Sequence, residues 1–366
     1  MGEISTALLV NGGGLLLGVI FGGLVQRTNF CTMGGISDLV LLGDGSRFRA
    51  WLLAIGTAIL GAQGLHLAGL VNLDGAIYAT TNLGWLGALL GGLGFGFGMV
   101  QAGGCGSRTL VRFGAGNLKS LVALLVLGIT AYATLRGIIG PARQWFEGMT
   151  VIDLKARGIP TQSLPDLFAA LGLPARPLRI LLALGIGGGL VAYALSNARF
   201  RARPKLVIGG IGVGLIAVAG WAVTGILGND EFEPVPLASV TFVAPVADSL
   251  LYLMTFTGAT LNFGISTVGG MILGAFVVAK LDGSFRIESF SSRDDLIGHL
   301  LGGALMGVGG VFALGCTIGQ GLTGFSTLAL SSVIAFGGIC LGGVLGVRYL
   351  EEGNLRDAVR ALFAAR

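Results

Sequence analysis

Charge is scarce in this chain. Only 11% of its 366 residues are Asp, Glu, Lys or Arg, against about 25% in a soluble domain. That scarcity, with 53% hydrophobic residues and a mean hydropathy of +0.85, excludes a soluble globule. Histidine is nearly absent. His66 and His299 have no carboxylate at metal spacing, so no metal site is expected. Neither has a partner in the sequence reading, so a titrating role is the minor reading. The four cysteines form no C-x-x-C, which removes both a zinc site and a disulfide framework. No ATP motif is present, and the glycine strings near 94–98 and 209–214 follow no strand, so they are not nucleotide fingerprints. No cofactor is expected. The start, MGEISTALLV, lacks a basic n-region, so no cleaved signal peptide is expected. It fits the myristoylation pattern Met-Gly-x-x-x-Thr, but a multispanning chain needs no lipid anchor.

Glycine is abundant: 67 residues, with no three-residue period, which excludes collagen. Within long apolar runs it points to helices packed closely through small faces. Nine runs have the length to cross a bilayer: 6–25, 51–71, 85–104, 121–139, 180–196, 207–227, 263–281, 297–315 and 328–348. Four apolar pieces between them, 27–42, 105–117, 241–258 and 317–327, are too short or too rich in Gly and Thr to cross alone. Broken backbone survives at membrane depth only inside protein or beside a watery cavity, so these read as re-entrant half-helices.

One stretch occurs twice. Residues 86–105, LGALLGGLGFGFGMVQAGGC, match 297–316, IGHLLGGALMGVGGVFALGC, at 11 of 20 positions with an offset of 211. A fainter copy precedes Cys31, where Gly18 and Gly22 stand at the same distances before the cysteine. The basic cluster Arg199, Arg201, Arg203, Lys205 marks a cytoplasmic loop. Alternating outward from it puts 43–50, 106–120, 280–296 and the C-terminus inside, and the N-terminus outside. The acidic turn Asp230, Glu231, Glu233 and the proline-rich 140–178 loop then fall outside. With 180–196 as a single extra crossing, the two copies enter the membrane in opposite senses. The expected fold is an all-α integral membrane protein with two inverted repeats, at 1–140 and 207–350. Residues 141–206 link them, and an amphipathic tail at 351–366 presents Leu355, Val359, Leu362 and Phe363 on one face. The tail reads as a helix on the bilayer surface rather than a docking site. The bilayer, not nucleic acid, explains the net charge of +5.

Chemistry concentrates where helices break. Cys31 is followed by Thr32, and Cys105 lies in Gly104-Cys105-Gly106-Ser107-Arg108. Cys316 lies in Gly315-Cys316-Thr317-Ile318-Gly319-Gln320. Glycine lets backbone N–H groups approach a ligand, and a half-helix starting there points its positive end at the same spot. Such a site suits an anion that must be desolvated, and thiols suit a polarisable sulfur cargo. Arg108 and Arg112 stand at the expected cytoplasmic exit, either drawing the anion through or obeying the positive-inside rule. The expected entrance lies near 255–258 and 317–320. Cys340, mid-helix in GGICLGG, reads as packing.

NFCTMGG, GGCGSRTL and GCTIGQGLTG, in that order over nine spans, resemble the YeeE/YedE sulfur-transport family of bacterial inner-membrane proteins. The resemblance implies an hourglass-shaped fold and thiosulfate uptake, with three cysteines passing the ion by S–H···S contacts. Carried over, these are Cys31, Cys105 and Cys316, supported by Thr32, Gly104, Gly106, Ser107, Gly315, Thr317 and Gln320. It also implies a TusA-like sulfur-carrier protein as a cytoplasmic partner. The rival readings are a membrane thiol oxidoreductase, or a sulfurtransferase working through a cysteine persulfide. The lack of a paired cysteine weighs against the first. A structural membrane subunit leaves the three cysteine breaks unexplained.

Overall fold

The computed structural model describes residues 5–230 and 233–363. Met1–Ile4, where the myristoylation pattern begins, Glu231 of the acidic turn, and the last three residues of the tail lie outside them.

Nine helices among the described residues have the length and apolarity to span a membrane, and the chain is an all-α multi-pass membrane protein. In chain order the first six elements are α1 (Thr6–Thr28), α2 (Thr32–Leu42), α3 (Ser46–Leu67), α4 (Trp85–Gln101), α5 (Gly106–Gly114) and α6 (Leu118–Leu135). A linking region follows: α7 (Gly140–Thr150), α8 (Leu164–Ala169), then α9 (Ala175–Leu182) and α10 (Gly189–Ser196), joined by a π-helical turn into one span, and short α11 (Ala198–Arg201). The remainder is α12 (Pro204–Ala222, continued to Leu227), α13 (Val243–Met254), α14 (Phe263–Leu281), α15 (Arg293–Phe312), a half-helix at 317–326, α16 (Leu330–Glu352) and the tail helix α17 (Leu355–Phe363).

The short pieces are α2, α5, α13 and the 317–326 half-helix, and each sits where an expected broken segment lies. Three expectations need correction. The 140–178 loop is ordered: Pro141 and Pro165 stand in the first turns of α7 and α8, where a missing N–H costs nothing. A short strand, Ile152–Asp153, also pairs with Asn82–Leu83. The histidines are paired. His299 Nδ1 lies 3.2 Å from Asp295 Oδ1, one helical turn back, and His66 Nε2 lies 3.9 Å from Asp74. The i,i+4 carboxylate was there in the sequence, on the same helix face. The second span also begins earlier than expected, at Ser46. Arg47 pairs with Asp38 and Arg49 stacks on Tyr193, so their charge is accommodated within α3.

Glycine seams bring the long helices together. A Cβ on Gly18 or Gly22 of α1 would strike the backbone of Thr267 or Met271 of α14. One on Gly270 or Gly274 of α14 would strike Leu15 or Val19 of α1. The numbering rises together along both helices, so α1 and α14 run parallel. Likewise Gly92 and Gly96 of α4 abut Ala335 and Ile339 of α16, again in parallel. The helices α4 and α15, which carry the repeated stretch, instead run antiparallel. A Cβ on Gly91 would lie 2.6 Å from Gly309 O, and one on Gly98 would lie 2.8 Å from Gly302 O. Contacts also occur in exchangeable pairs: α1 with α14 as α12 with α3, α4 with α16 as α15 with α6, and α13 with α6 as α2 with α16.

The helix breaks share a local cause. Two residues before each of Cys31, Cys105 and Cys316 stands a left-handed residue: Asn29 (φ 54°), Gly103 (φ 68°) and Leu314 (φ 55°). This turns the chain so that the cysteine can begin the next half-helix. Asn and Gly enter this region readily, whereas leucine does so at a cost of about 1–2 kcal/mol.

Two predictions follow from packing and backbone. Gly94 has open space beyond it, whereas Gly96 faces the backbone of α16. Thermal melting in detergent should show Gly94→Ala unchanged and Gly96→Ala destabilised by about 2 kcal/mol or more. Leu314→Gly should gain up to about 1 kcal/mol, and Gly103→Val should lose about 1–2 kcal/mol; equal melting of both with the parent would contradict this account of the breaks.

Candidate functional site

Each cysteine sits at the start of a half-helix. Cys31 caps α2, and its Sγ accepts the N–H of Gly34 at 3.4 Å. Cys316 precedes the 317–326 half-helix, and its Sγ accepts the N–H of Gly319 at 3.3 Å. Cys105 caps α5 without a backbone bond to its sulfur, which instead lies 3.3 Å from Ser107 Oγ. Cys105 and Cys316 are buried and Cys31 is half-buried; all are free thiols. Where backbone N–H groups occupy the sulfur lone pairs, the S–H proton is left to point elsewhere.

Cys105 lies within electrostatic reach of both Cys31 and Cys316. The buried Tyr78 hydroxyl and Thr241 Oγ1 both stand beside Gly319, whose N–H bonds Cys316. Arg108 bonds Asn29, two residues before Cys31, and Arg47 stands beside Gly34, whose N–H bonds Cys31. Phe242 immediately precedes α13 and stands beside Gly106, so α13 starts at the same place. Four half-helix N-termini therefore converge, each offering unpaired N–H groups and the positive end of its dipole.

Several donors here have no partner among the described residues. Thr32 Oγ1 and Thr317 Oγ1 are fully buried and unbonded, and each directly follows a cysteine. Gln320 is not one of them: it donates Nε2 to Ala313 O, and its Oε1 is an acceptor without a partner among the described residues. Arg108 gives one guanidinium nitrogen to Asn29 Oδ1 at 2.9 Å and keeps Nη1 buried and unpartnered. Buried polar atoms are nearly always bonded, so this cluster of vacant donors suits an acceptor-rich ligand. Thr109 braces the turn by bonding the carbonyls of Cys105 and Gly104, and the stem of Arg108 packs on Gly104. Gly315 packs on Gln320 and donates to Gly310 O.

Arg108 lies beside Cys31, inward of a larger basic vestibule. That cavity, about 440 Å³, is lined by Asn29, Arg47, Arg203 and Lys205. At its rim Asp44 takes two bonds from Ser46 and one from Arg203 at 2.7 Å. These bonds hold its carboxyl down at about 2. A depressed carboxylate contributes fully above the ordinary range and loses its hold only as pH falls through about 2, so this rim is unchanged near neutrality. Arg112 bonds Gly103 O at 2.8 Å, bracing the turn before Cys105. Of the expected entrance residues, Thr317 and Gln320 reach Cys316, whereas Thr255–Gly258 forms an exposed turn at the far end of α13. Cys340 packs against the core. No cluster of three His, Cys, Asp or Glu able to hold a metal occurs among the described residues.

Sequence reasoning missed Tyr78, Thr241 and Phe242. Adding the 211-residue offset to Cys31 gives Phe242, but an aromatic at a cysteine position hid the match. Tyr78 comes from an outer connection with no motif of its own.

Comparison with known proteins agrees with this chemistry. The family described as "Sulphur transport" matches residues 27–345. A protein of Escherichia coli (strain K12) named thiosulfate transporter TsuA is 27% identical over 318 residues, covering 84% of this chain and 86% of its own. A protein of the same name from Spirochaeta thermophila is 29% identical over 326 residues, covering 88% and 93%. These relatives are transporters, not enzymes. The chain belongs to the sulphur-transport family.

Proposed function

We propose that this protein carries thiosulfate, or a close sulfur oxyanion, from periplasm to cytoplasm across the bacterial inner membrane, passing it from Cys316 to Cys105 to Cys31. The reading rests on one arrangement: Cys105 near both Cys31 and Cys316, with two buried threonine hydroxyls that have no partner among the described residues, at the starts of half-helices. An ion entering such a site exchanges hydration for fixed donors. Each charge-assisted bond contributes about 1.5–3 kcal/mol, and no single partner holds the ion permanently. The polarisable terminal sulfur of thiosulfate accepts from S–H groups that would serve a harder anion less well. Both relatives named above are thiosulfate transporters, which supports the same cargo here.

Residues 1–140 and 207–350 act as inverted halves about an axis between α4 and α15, whose antiparallel seam supports the idea. The N-terminus is periplasmic and the C-terminus cytoplasmic. A small TusA-like sulfur carrier takes the ion at the basic vestibule of Arg47, Arg203 and Lys205, whose charge suits an anionic intermediate.

Uptake of labelled thiosulfate into liposomes tests the relay. Cys105→Ala and Cys316→Ala should each lower uptake about tenfold to a hundredfold, the worth of one charged hydrogen bond. Thr317→Val should lower it by a similar factor. Sulfite and selenite should compete less well than unlabelled thiosulfate. Parental growth of the cysteine variants on thiosulfate as sole sulfur source would overturn the relay.

A further inference from the structure

A cavity of about 240 Å³ opens along the extended segment that leads into α13, with Ser239, Thr241, Asp248, Asn262 and Thr267 in its lining. Thr241 touches Gly319, whose N–H bonds Cys316, so the cavity ends one residue from the outermost thiol. Asp248 is the one charged residue of α13, five residues from its first, or about 7–8 Å along the axis. It is half-buried and makes no hydrogen bond or ion pair among the described residues.

Its neighbours offer little compensation. From α6 the charged group that acts on it is Arg136, beyond bonding distance, with Tyr132 one turn before. The near end of α14 presents Asn262 and Thr267, and Lys280 lies at its other end. The titratable groups of α15, Asp294, Asp295 and His299, lie at the end remote from α13, whose start meets Gly310. Glu233 precedes the extended segment, Tyr252 follows on α13 itself, and Tyr78 and Cys316 lie beyond Thr241. An unpaired ionisable residue within a membrane protein, in the wall of a cavity, is by default a functional group.

An ionised carboxylate in that wall repels an approaching anion, and a protonated one admits it and can donate a hydrogen bond. We propose that Asp248 is the entry gate of this transporter, taking a proton from the outer solution before each anion passes Thr241. The proton returns to the same cavity once the anion has reached Cys316, so the device sets when entry occurs and does not itself drive accumulation. This rests on the anion-transport reading above.

The test is initial uptake of labelled thiosulfate into liposomes at fixed inner pH, with outer pH stepped from about 5.5 to about 8.5, across the range open to a buried carboxylate. The charge of thiosulfate itself is constant there. Uptake by the parent should fall at least about tenfold toward the alkaline end, the effect of one unit beyond the titration point. Asp248→Asn should be flat at the acid-end rate, and Asp248→Glu should keep a pH-dependent limb. If the Asn variant does not fold, Asp248→Ser should give the same flat profile. Parental pH dependence in the neutral variants, or a flat parental profile, overturns the gate and leaves transport intact. Uptake no greater than that of empty vesicles at every pH overturns transport, and the gate with it.

Discussion

The structure depends on a single electrostatic constraint: an anion can leave water only where donors are already fixed in place. In low dielectric an unpaired charge is far more costly than in water, and a flexible donor would also have to be ordered. Backbone N–H groups at helix starts are ordered already. The chain collects four such starts at one place, and the left-handed residues Asn29, Gly103 and Leu314 turn three of them into it. At two of these positions the residue tolerates that conformation. At the third a leucine is held there by its surroundings, as strained backbone often is near a functional centre.

Convergence of half-helices demands that the long helices carrying them approach closely. The glycine seams allow this: α1 lies against α14, and α4 against both α15 and α16, with backbone touching backbone. In lipid no hydrophobic force drives helices together, so close van der Waals contact over small residues must supply the attraction. The same glycines that look like weak helix formers are what place the cysteines. The outer connections secure the arrangement from one side. Gln162 accepts from Leu330 N and donates to Thr80, and the buried Arg179 pairs with Asp74 at 3.0 Å, tying the linking region across the start of α16. The basic residues gather at the other end, so the site lies between neutral donors and a cationic vestibule. On the proposed inward route a dianion would also work against a membrane potential that is negative inside, at about 2.3 kcal/mol per charge per 100 mV. Weak, successive contacts suit that task better than one deep well.

Much of this was legible in the sequence. The apolar runs mark the spans because a bilayer accepts little else, and only the ends of α3 and the linking region were misjudged. Arg47 and Arg49 look like loop residues until Asp38 and Tyr193 are seen beside them. The prolines of 140–178 look like breakers until they are found at helix starts. Cys31, Cys105 and Cys316 were singled out because a repeated break is visible as text. Thr241, Phe242 and Asp248 were not, because each matters only through what lies beside it.

Composition and repetition alone determined the membrane fold, the positions of the breaks and the residue types at them, since these follow from local hydropathy, glycine content and an offset that can be read along a line. Tertiary structure alone decided that Cys105 stands near both Cys31 and Cys316, that the hydroxyls of Thr32 and Thr317 have no partner among the described residues, and that Arg108 bonds Asn29. Those facts concern segments tens to hundreds of residues apart, and helix packing, rather than local propensity, sets the distances between them.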